Sequence, residues 1–224
     1  MYLVIFDCDG TIVDSQRVII ACMEQAFTAA ELPSPSREAI LSVVGLSLEQ
    51  AVAAIAPDLD LPRVQDVTAK YKSGFAPLRA DPAYAEPLFA GAREALDALH
   101  AQDDVLLGIA TGKSVRGVKH LLDEHGWHGR FVTIQTADTS PSKPHPDMVL
   151  KAMAETGVEK ARTVLIGDTS YDMKMARAAG VGAIGVSWGY HPVEELHGSG
   201  AHHVLQHFHE LAPLLNRHWE RGPA

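Results

Sequence analysis

Leu3-Val4-Ile5-Phe6-Asp7-Cys8-Asp9-Gly10-Thr11-Ile12-Val13-Asp14 opens on an apolar run rich in β-formers, then sets two acids one residue apart ahead of a Gly-Thr turn. The run reads as a buried strand that ends in carboxylates. In an open α/β sheet, ligands bind in the crevice beyond the carboxyl ends of the strands, which assigns Asp7 and Asp9 to a site and not to a core. Two carboxylates on one rigid turn can divide labour, one as nucleophile and metal ligand, the other as proton donor and acceptor. They also repel each other. A hard cation with oxygen ligands, Mg²⁺, would relieve that repulsion and recruit phosphate as a further partner. The same residues suit a plain turn with a strand-end cap, so the remaining motifs decide.

Working outward, the 224 residues fit one α/β domain with a sizeable insertion, or two small domains sharing a hinge. With 46% hydrophobic and 21% charged residues, the chain can bury a proper core, and nothing in it suggests disorder. A formal charge of −9 gives no general affinity for nucleic acid or an anionic membrane, so an anionic substrate has to be held by a local site. Cys8 and Cys22 form no C-x-x-C pair, which argues against a disulfide framework or a zinc site and for a cytoplasmic protein. The chain begins directly with a strand, without a secretory leader pattern, and no segment reaches the roughly 18 apolar residues of a membrane span.

Asp14-Ser15 is a plausible helix start, after which Ile19, Met23, Phe27 and Ala30 recur at helical spacing until Pro33 and Pro35. Ser36 to Val44, Ser47 to Ile55 and Leu61 to Phe75 read as short amphipathic helices divided by Gly45, Pro57-Asp58 and Pro77. No strand pattern interrupts this block, which is too long for a crossover and reads as a helical insertion. From Ala92 onward helices alternate with apolar strands: Val105 to Ala110, Phe131 to Gln135, Thr163 to Ile166 and Ala183 to Val186. That alternation implies a parallel sheet with right-handed crossovers. His191, His197, His202, His203, His207, His209 and His218 crowd the C-terminal part and read as solvated surface residues. His203 and His207 could share a helix face. Leu211, Leu214 and Leu215 are expected to dock the last helix.

Three further stretches carry candidate chemistry. Thr111-Gly112-Lys113 follows a strand, where a hydroxyl and backbone N–H groups can hold phosphoryl oxygens; Thr111 could equally cap the turn. Lys143 stands in Ser142-Lys143-Pro144-His145-Pro146, where two prolines stiffen the loop; it is either a solvated lysine or an ammonium fixed to neutralise charge between a carboxylate and phosphate. Val164-Leu165-Ile166-Gly167-Asp168-Thr169-Ser170-Tyr171-Asp172 repeats strand, turn and acid. Asp168 there could supply a further Mg²⁺ oxygen, while Asp172 also fits a capping box with Thr169.

Taken together and in this order, Asp7-x-Asp9-Gly10-Thr11, Thr111-Gly112, Lys143-Pro144 and Gly167-Asp168-x-x-x-Asp172 resemble the haloacid dehalogenase superfamily over essentially the whole chain. The early helical block is similar to that superfamily's mobile cap. The resemblance implies a doubly wound, Rossmann-like parallel sheet core (1–14 and 83–224) with an inserted α-helical cap (15–82), the first strand being central. It implies that Asp7 attacks phosphorus and that Asp9 protonates the leaving alkoxide and then activates water. Mg²⁺ would be held by Asp7, the Asp9 carbonyl and Asp168; Thr111 and Gly112 would grip the phosphoryl group, Lys143 would offset charge, and Asp172 would orient Lys143 or a metal-bound water.

Dehalogenating relatives lack the second acid and need no metal, so Asp9 points away from dehalogenation. Val44-Gly45-Leu46-Ser47-Leu48-Glu49 has neither the lysine of phosphonate-cleaving relatives nor the arginine of sugar phosphomutases. The cap wording, Thr111-Gly112-Lys113-Ser114 and Ser187-Trp188-Gly189-Tyr190-His191 are most similar to phosphoglycolate phosphatases, which makes 2-phosphoglycolate the leading small-metabolite substrate. The alternatives are a phosphomutase or pyrophosphatase of the same superfamily, or a non-enzymatic regulatory protein on this scaffold. The sequence is compatible with a monomer or a homodimer.

Overall fold

In a computed structural model that describes residues 1–221, six strands form one parallel sheet. They are β1 (Tyr2–Phe6), β2 (Val105–Thr111), β3 (Phe131–Thr136), β4 (Thr163–Gly167), β5 (Gly182–Val186) and β6 (His203–Leu205), in the order β3-β2-β1-β4-β5-β6. Leu3 to Phe6 are entirely buried because β1 is central and covered on both faces, which explains why the strand reads as an unbroken apolar run.

Alternation sorts the side chains of β1 between two cores. Val4 and Phe6 pack with the helices α5 (Ala92–His100), α6 (Val115–His125) and α10 (Leu211–Arg221), through Leu96, Leu121, Leu211 and Leu215 among others. Leu3 and Ile5 pack on the opposite face, with α7 (Asp147–Thr156), α8 (Ser170–Ala179) and α9 (Val193–Gly198), through Val149, Met173 and Leu196. The expected doubly wound architecture is therefore present. Since strand order runs outward in both directions from β1 and β4, the topological switch point lies between them, at the end where Asp7 and Asp168 emerge.

Between β1 and α5 lie α1 (Gln16–Ala29), α2 (Arg37–Leu41), α3 (Leu48–Ile55) and α4 (Leu61–Arg79). They bury Val18, Met23, Phe27, Ile40, Val52 and Val67 in an apolar cluster of their own.

Several local expectations are corrected. α4 continues through Pro77 to Arg79 and does not stop at Phe75. A proline removes one N–H near the end of a helix, and here Leu78 packs against the helical cluster while Arg79 pairs with Glu86, which holds the last turn. Only Arg37–Leu41 of the 36–44 segment is regular helix, since the chain turns toward Gly45 at φ 100°. α9 and β6 lie outside the expected elements; β6 has three residues, too few to show a period. His203 sits in β6, so it shares no helix face with His207. His191 is buried and not solvated, for a reason given below. The His218 side chain lies outside the described residues. Among the described residues, no helix is long and apolar enough to cross a membrane.

Candidate active site

At the carboxyl end of β1, Asp7 takes the position where the sheet ladder runs out: its N–H still donates to Ile166 O at 2.9 Å, and its Oδ1 accepts from Cys8 N at 2.7 Å. Asp7 Oδ2 lies 2.9 Å from Lys143 Nζ without an aligned hydrogen bond. Lys143 is completely buried, and it also donates to Asp172 Oδ1 at 2.6 Å. The opposite oxygen of Asp172 accepts from Thr169 N at 3.1 Å and from Thr169 Oγ1 at 2.6 Å, closing a capping box at the start of α8. Asp172 thus caps the helix, as its spacing from Thr169 suggested, and also holds Lys143.

Asp168 emerges from β4 beside Asp7. Its Oδ1 accepts from Thr11 Oγ1 at 2.8 Å and its Oδ2 from Tyr190 N at 2.9 Å. Carboxylate oxygens of Asp7, Asp168 and Asp172 all lie within 4.8 Å of one another. Burial pushes Asp7 up to about 6, with Asp172 and Asp9 adding to the rise and Lys143 opposing it. Asp168 is raised well above the usual carboxylate range, first by burial and then by Asp172 and Asp7. For Lys143, burial favours the neutral form, but Asp172 and Asp7 outweigh it and hold the ammonium charged. Three clustered buried acids, with Asp7 and Asp168 raised and one unaligned carboxylate oxygen on Asp7, suit a hard divalent cation, which would remove the repulsion.

Two glycines let Asp168 into this position. A Cβ at Gly10, whose φ is +84°, would stand 2.1 Å from Asp168 Oδ2, and one at Gly189 would stand 2.0 Å from Asp168 Cβ. The Gly-Thr turn and the Trp-Gly-Tyr segment therefore close over that carboxylate from both sides, and Trp188 Nε1 donates to Thr11 O at 3.1 Å to hold them together.

Asp9 faces a different set of partners. Its Oδ1 accepts from Ser15 Oγ at 2.6 Å and from Lys113 Nζ at 2.6 Å. Ser15, placed at the start of α1, makes no side-chain cap and uses its hydroxyl on Asp9. Lys113 also reaches Glu86 Oε1 at 2.9 Å, and Glu86 Oε2 meets Arg79 Nε at 2.7 Å, so a buried chain of alternating charge runs from Asp9 to the last turn of α4. Burial tends to raise Asp9, but Lys113, Ser15 and Arg79 together outweigh it and hold the carboxyl below its usual range.

Thr111 ends β2 fully buried, and its Oγ1 accepts from Lys113 N at 3.2 Å. Gly112 lies where the helical block touches the sheet: a Cβ there would be 2.8 Å from the carbonyls of Gly45 and Leu46. The same 42–47 turn receives Tyr171 Oη on Ser42 O at 3.1 Å and His191 Nε2 on Ser42 O at 3.2 Å, and Ser47 N donates to Ser142 Oγ at 2.7 Å. His191 Nδ1 accepts from Ser170 N at 3.3 Å, so both ring nitrogens are engaged and the histidine is inside. Between the two layers lies a cavity of about 620 Å³ lined on the sheet side by Asp7, Asp9, Thr111, Gly112 and Lys113.

The structure thus brings Asp7, Lys143, Asp168 and Asp172 into one cluster and sets Asp9, Thr111 and Gly112 along the adjoining cavity. It joins Asp172 to Asp7 and Asp168 as the third acid, while the Asp9 carboxylate is occupied by Lys113 and Ser15. Sequence reading named Lys113, Ser15 and Tyr190 without assigning them a part in the site, and did not reach Glu86 at all. Lys113 had a signal, as it directly follows Thr111-Gly112; Glu86 had none, since a lone acid in a loop carries no pattern.

A family model described as "Haloacid dehalogenase-like hydrolase" matches residues 4–186. The chain is 37% identical over 214 residues to "Probable phosphatase IndB" of Dickeya dadantii, covering 93% of this chain and 91% of that one. It is 29% identical over 231 residues to a phosphoglycolate phosphatase of Salmonella paratyphi A, covering 95% and 91%. A crystal structure of a hydrolase from Pseudomonas syringae superposes with a TM-score of 0.84 at 24% identity, covering 97% of this chain and 99% of that one.

Proposed function

The chain belongs to the haloacid dehalogenase-like hydrolase family and, with its relatives, to that family's phosphatases, and on that premise we propose that it hydrolyses a phosphomonoester through an aspartyl-phosphate on Asp7. The observation that carries this reading is Asp7 itself, at the end of the central strand, 2.9 Å from a buried ammonium and clustered with two further acids.

In the first half-reaction an Asp7 oxygen attacks phosphorus, the ester P–O bond breaks, and Asp9 passes a proton to the leaving alkoxide. Asp9 is held ionised by Lys113 and Ser15, so the proton that it delivers enters with the substrate as a phosphate monoanion. In the second half Asp9 takes a proton from water, the hydroxide adds to phosphorus, and the acyl-phosphate bond to Asp7 breaks to release inorganic phosphate. Thr111 and Gly112 hold the phosphoryl oxygens, and Lys143, fixed by Asp172, balances the charge that Asp7 shares with phosphate. Asp7, Asp168 and the backbone carbonyl of Asp9 would hold Mg²⁺, which when bound lets a carboxylate and a phosphate approach each other.

The division into a core (1–14 and 83–224) and a cap (15–82) is part of the proposal, supported by the separate apolar cluster of the helical block. The names of several relatives make 2-phosphoglycolate the first substrate to try. A panel of phosphorylated metabolites, assayed for phosphate release with and without Mg²⁺, tests the reading alongside Asp7→Asn. The variant should fold and lose at least about a thousandfold in kcat, because an amide is neither a usable nucleophile nor an anionic ligand. Release that persists in Asp7→Asn, or after complete chelation, refutes it. An isomerised sugar phosphate in place of inorganic phosphate would assign phosphotransfer.

A further inference from the structure

The cavity above Asp7 is larger than a two-carbon leaving group needs. At a water's share of roughly 30 Å³ for each non-hydrogen atom, 2-phosphoglycolate fills at most about 270 Å³, less than half of the roughly 620 Å³ present. With its phosphoryl group beside Asp7 and Thr111, such a substrate leaves the helical wall of the cavity facing water. That wall is largely apolar, with Ile19 and Met23 from α1, Val44 from the docking turn, and Tyr71, Phe75 and Ala76 from α4. Tyr71 and Phe75 stand with ring centroids 5.5 Å apart, and the Arg79 guanidinium lies 4.6 Å over the Phe75 ring, leaving Tyr71 and the other Phe75 face to the cavity.

Charge points the same way. A glycolate carboxylate needs a cation that is still available inside the cavity, and the two cations closest to Asp9 in the network are already matched. Lys113 is shared by Asp9 and Glu86, and Arg79 is paired with Glu86. Lys72 and Arg116 also line the cavity but are solvent-exposed, where a lone ion pair contributes little.

Resting on the phosphatase reading, we infer that the substrate is a phosphomonoester with an uncharged leaving alcohol larger than glycolate, which lays an apolar or ring face on Tyr71 and Phe75. Burying that face against the cap wall is what distinguishes it from smaller, acidic esters.

The test measures kcat/KM of the full chain with Mg²⁺ for 2-phosphoglycolate, a nucleoside 5′-monophosphate and 2-phenylethyl phosphate. At least one larger ester should exceed 2-phosphoglycolate by about tenfold or more. That ratio should fall by about tenfold in Ala76→Phe, which fills the cavity, and in Phe75→Ala, which removes the aromatic face. Two positions in one helix keep the test open if one variant folds badly. The inference is overturned if 2-phosphoglycolate equals or exceeds both larger esters, or if both variants fold and leave the ratio unchanged. Failure to release phosphate from any ester would instead refute the phosphatase reading, and the inference with it.

Discussion

Replacing Lys113 by Met strands the buried Asp9 carboxylate and leaves Glu86 with Arg79 as its one remaining ion-pair partner. The ammonium lies 2.6 Å from Asp9 and 2.9 Å from Glu86, and the side chains involved are 7%, 13% and 6% exposed. At an effective dielectric of about 20, each contact has a gross Coulomb energy of about 6 kcal/mol, most of it cancelled by the cost of burying the lysine. Removing one partner of such a set leaves unmatched charge inside, and the expected net loss is about 3–5 kcal/mol at neutral pH. For a chain of this size that lowers Tm by roughly 10 °C.

The pH dependence follows from Asp9. Burial alone would lift its carboxyl, but Lys113 and its other partners hold it below the ordinary 3.8. A depressed carboxyl contributes stability above its unfolded value and loses it as pH falls through the folded one. The penalty of Lys113→Met should therefore be large at pH 7.5 and shrink toward pH 4 and below, as Asp9 takes up a proton. Adding Asp9→Asn should recover about 1 kcal/mol or more, because the stranded charge disappears. Urea unfolding of the single and double variants at both pH values measures this. A loss under about 1 kcal/mol at pH 7.5, or a loss equal at the two pH values, refutes the argument for the network.

Gly189→Ala should displace Asp168, since the new Cβ would stand 2.0 Å from Asp168 Cβ. The Mg²⁺ concentration for half-maximal phosphate release should rise by about tenfold or more, and a wild-type value would remove the glycine cradle from the account. Asp7, pushed up to about 6 by burial, favours the metal-free fold below its ordinary 3.8, and that contribution is lost as pH rises through about 6. Mg²⁺ should accordingly raise Tm more at pH 7.5 than at pH 5; a shift independent of pH contradicts the acid cluster as the binding site. His191→Ala removes one of the two side chains that grip Ser42 O, so amide exchange in the 42–47 turn should quicken several-fold with little change in the sheet. Unchanged exchange there would mean that His191 does not hold the turn down.

What the sequence determined by itself was whatever depends on short-range pattern. Leu3 to Phe6 had to be a doubly buried strand, because an unbroken apolar run of that length suits the centre of a parallel sheet. The α/β rhythm after Ala92 fixed the sheet type, and Asp7 and Asp168 were legible because each directly follows such a strand. Tertiary structure alone decided what depends on chain segments distant in sequence. Lys113 meets Asp9 across 104 positions and Glu86 across 27, and neither separation leaves a mark in local composition. His191 looked like one more surface histidine until Ser42 O and Ser170 N were found to engage both ring nitrogens. Pro77 looked like a helix end until Leu78 and Arg79 found partners beyond it. Backbone periodicity is written into neighbouring residues, whereas the partner of a buried charge is chosen by whichever segment the fold brings within hydrogen-bonding distance.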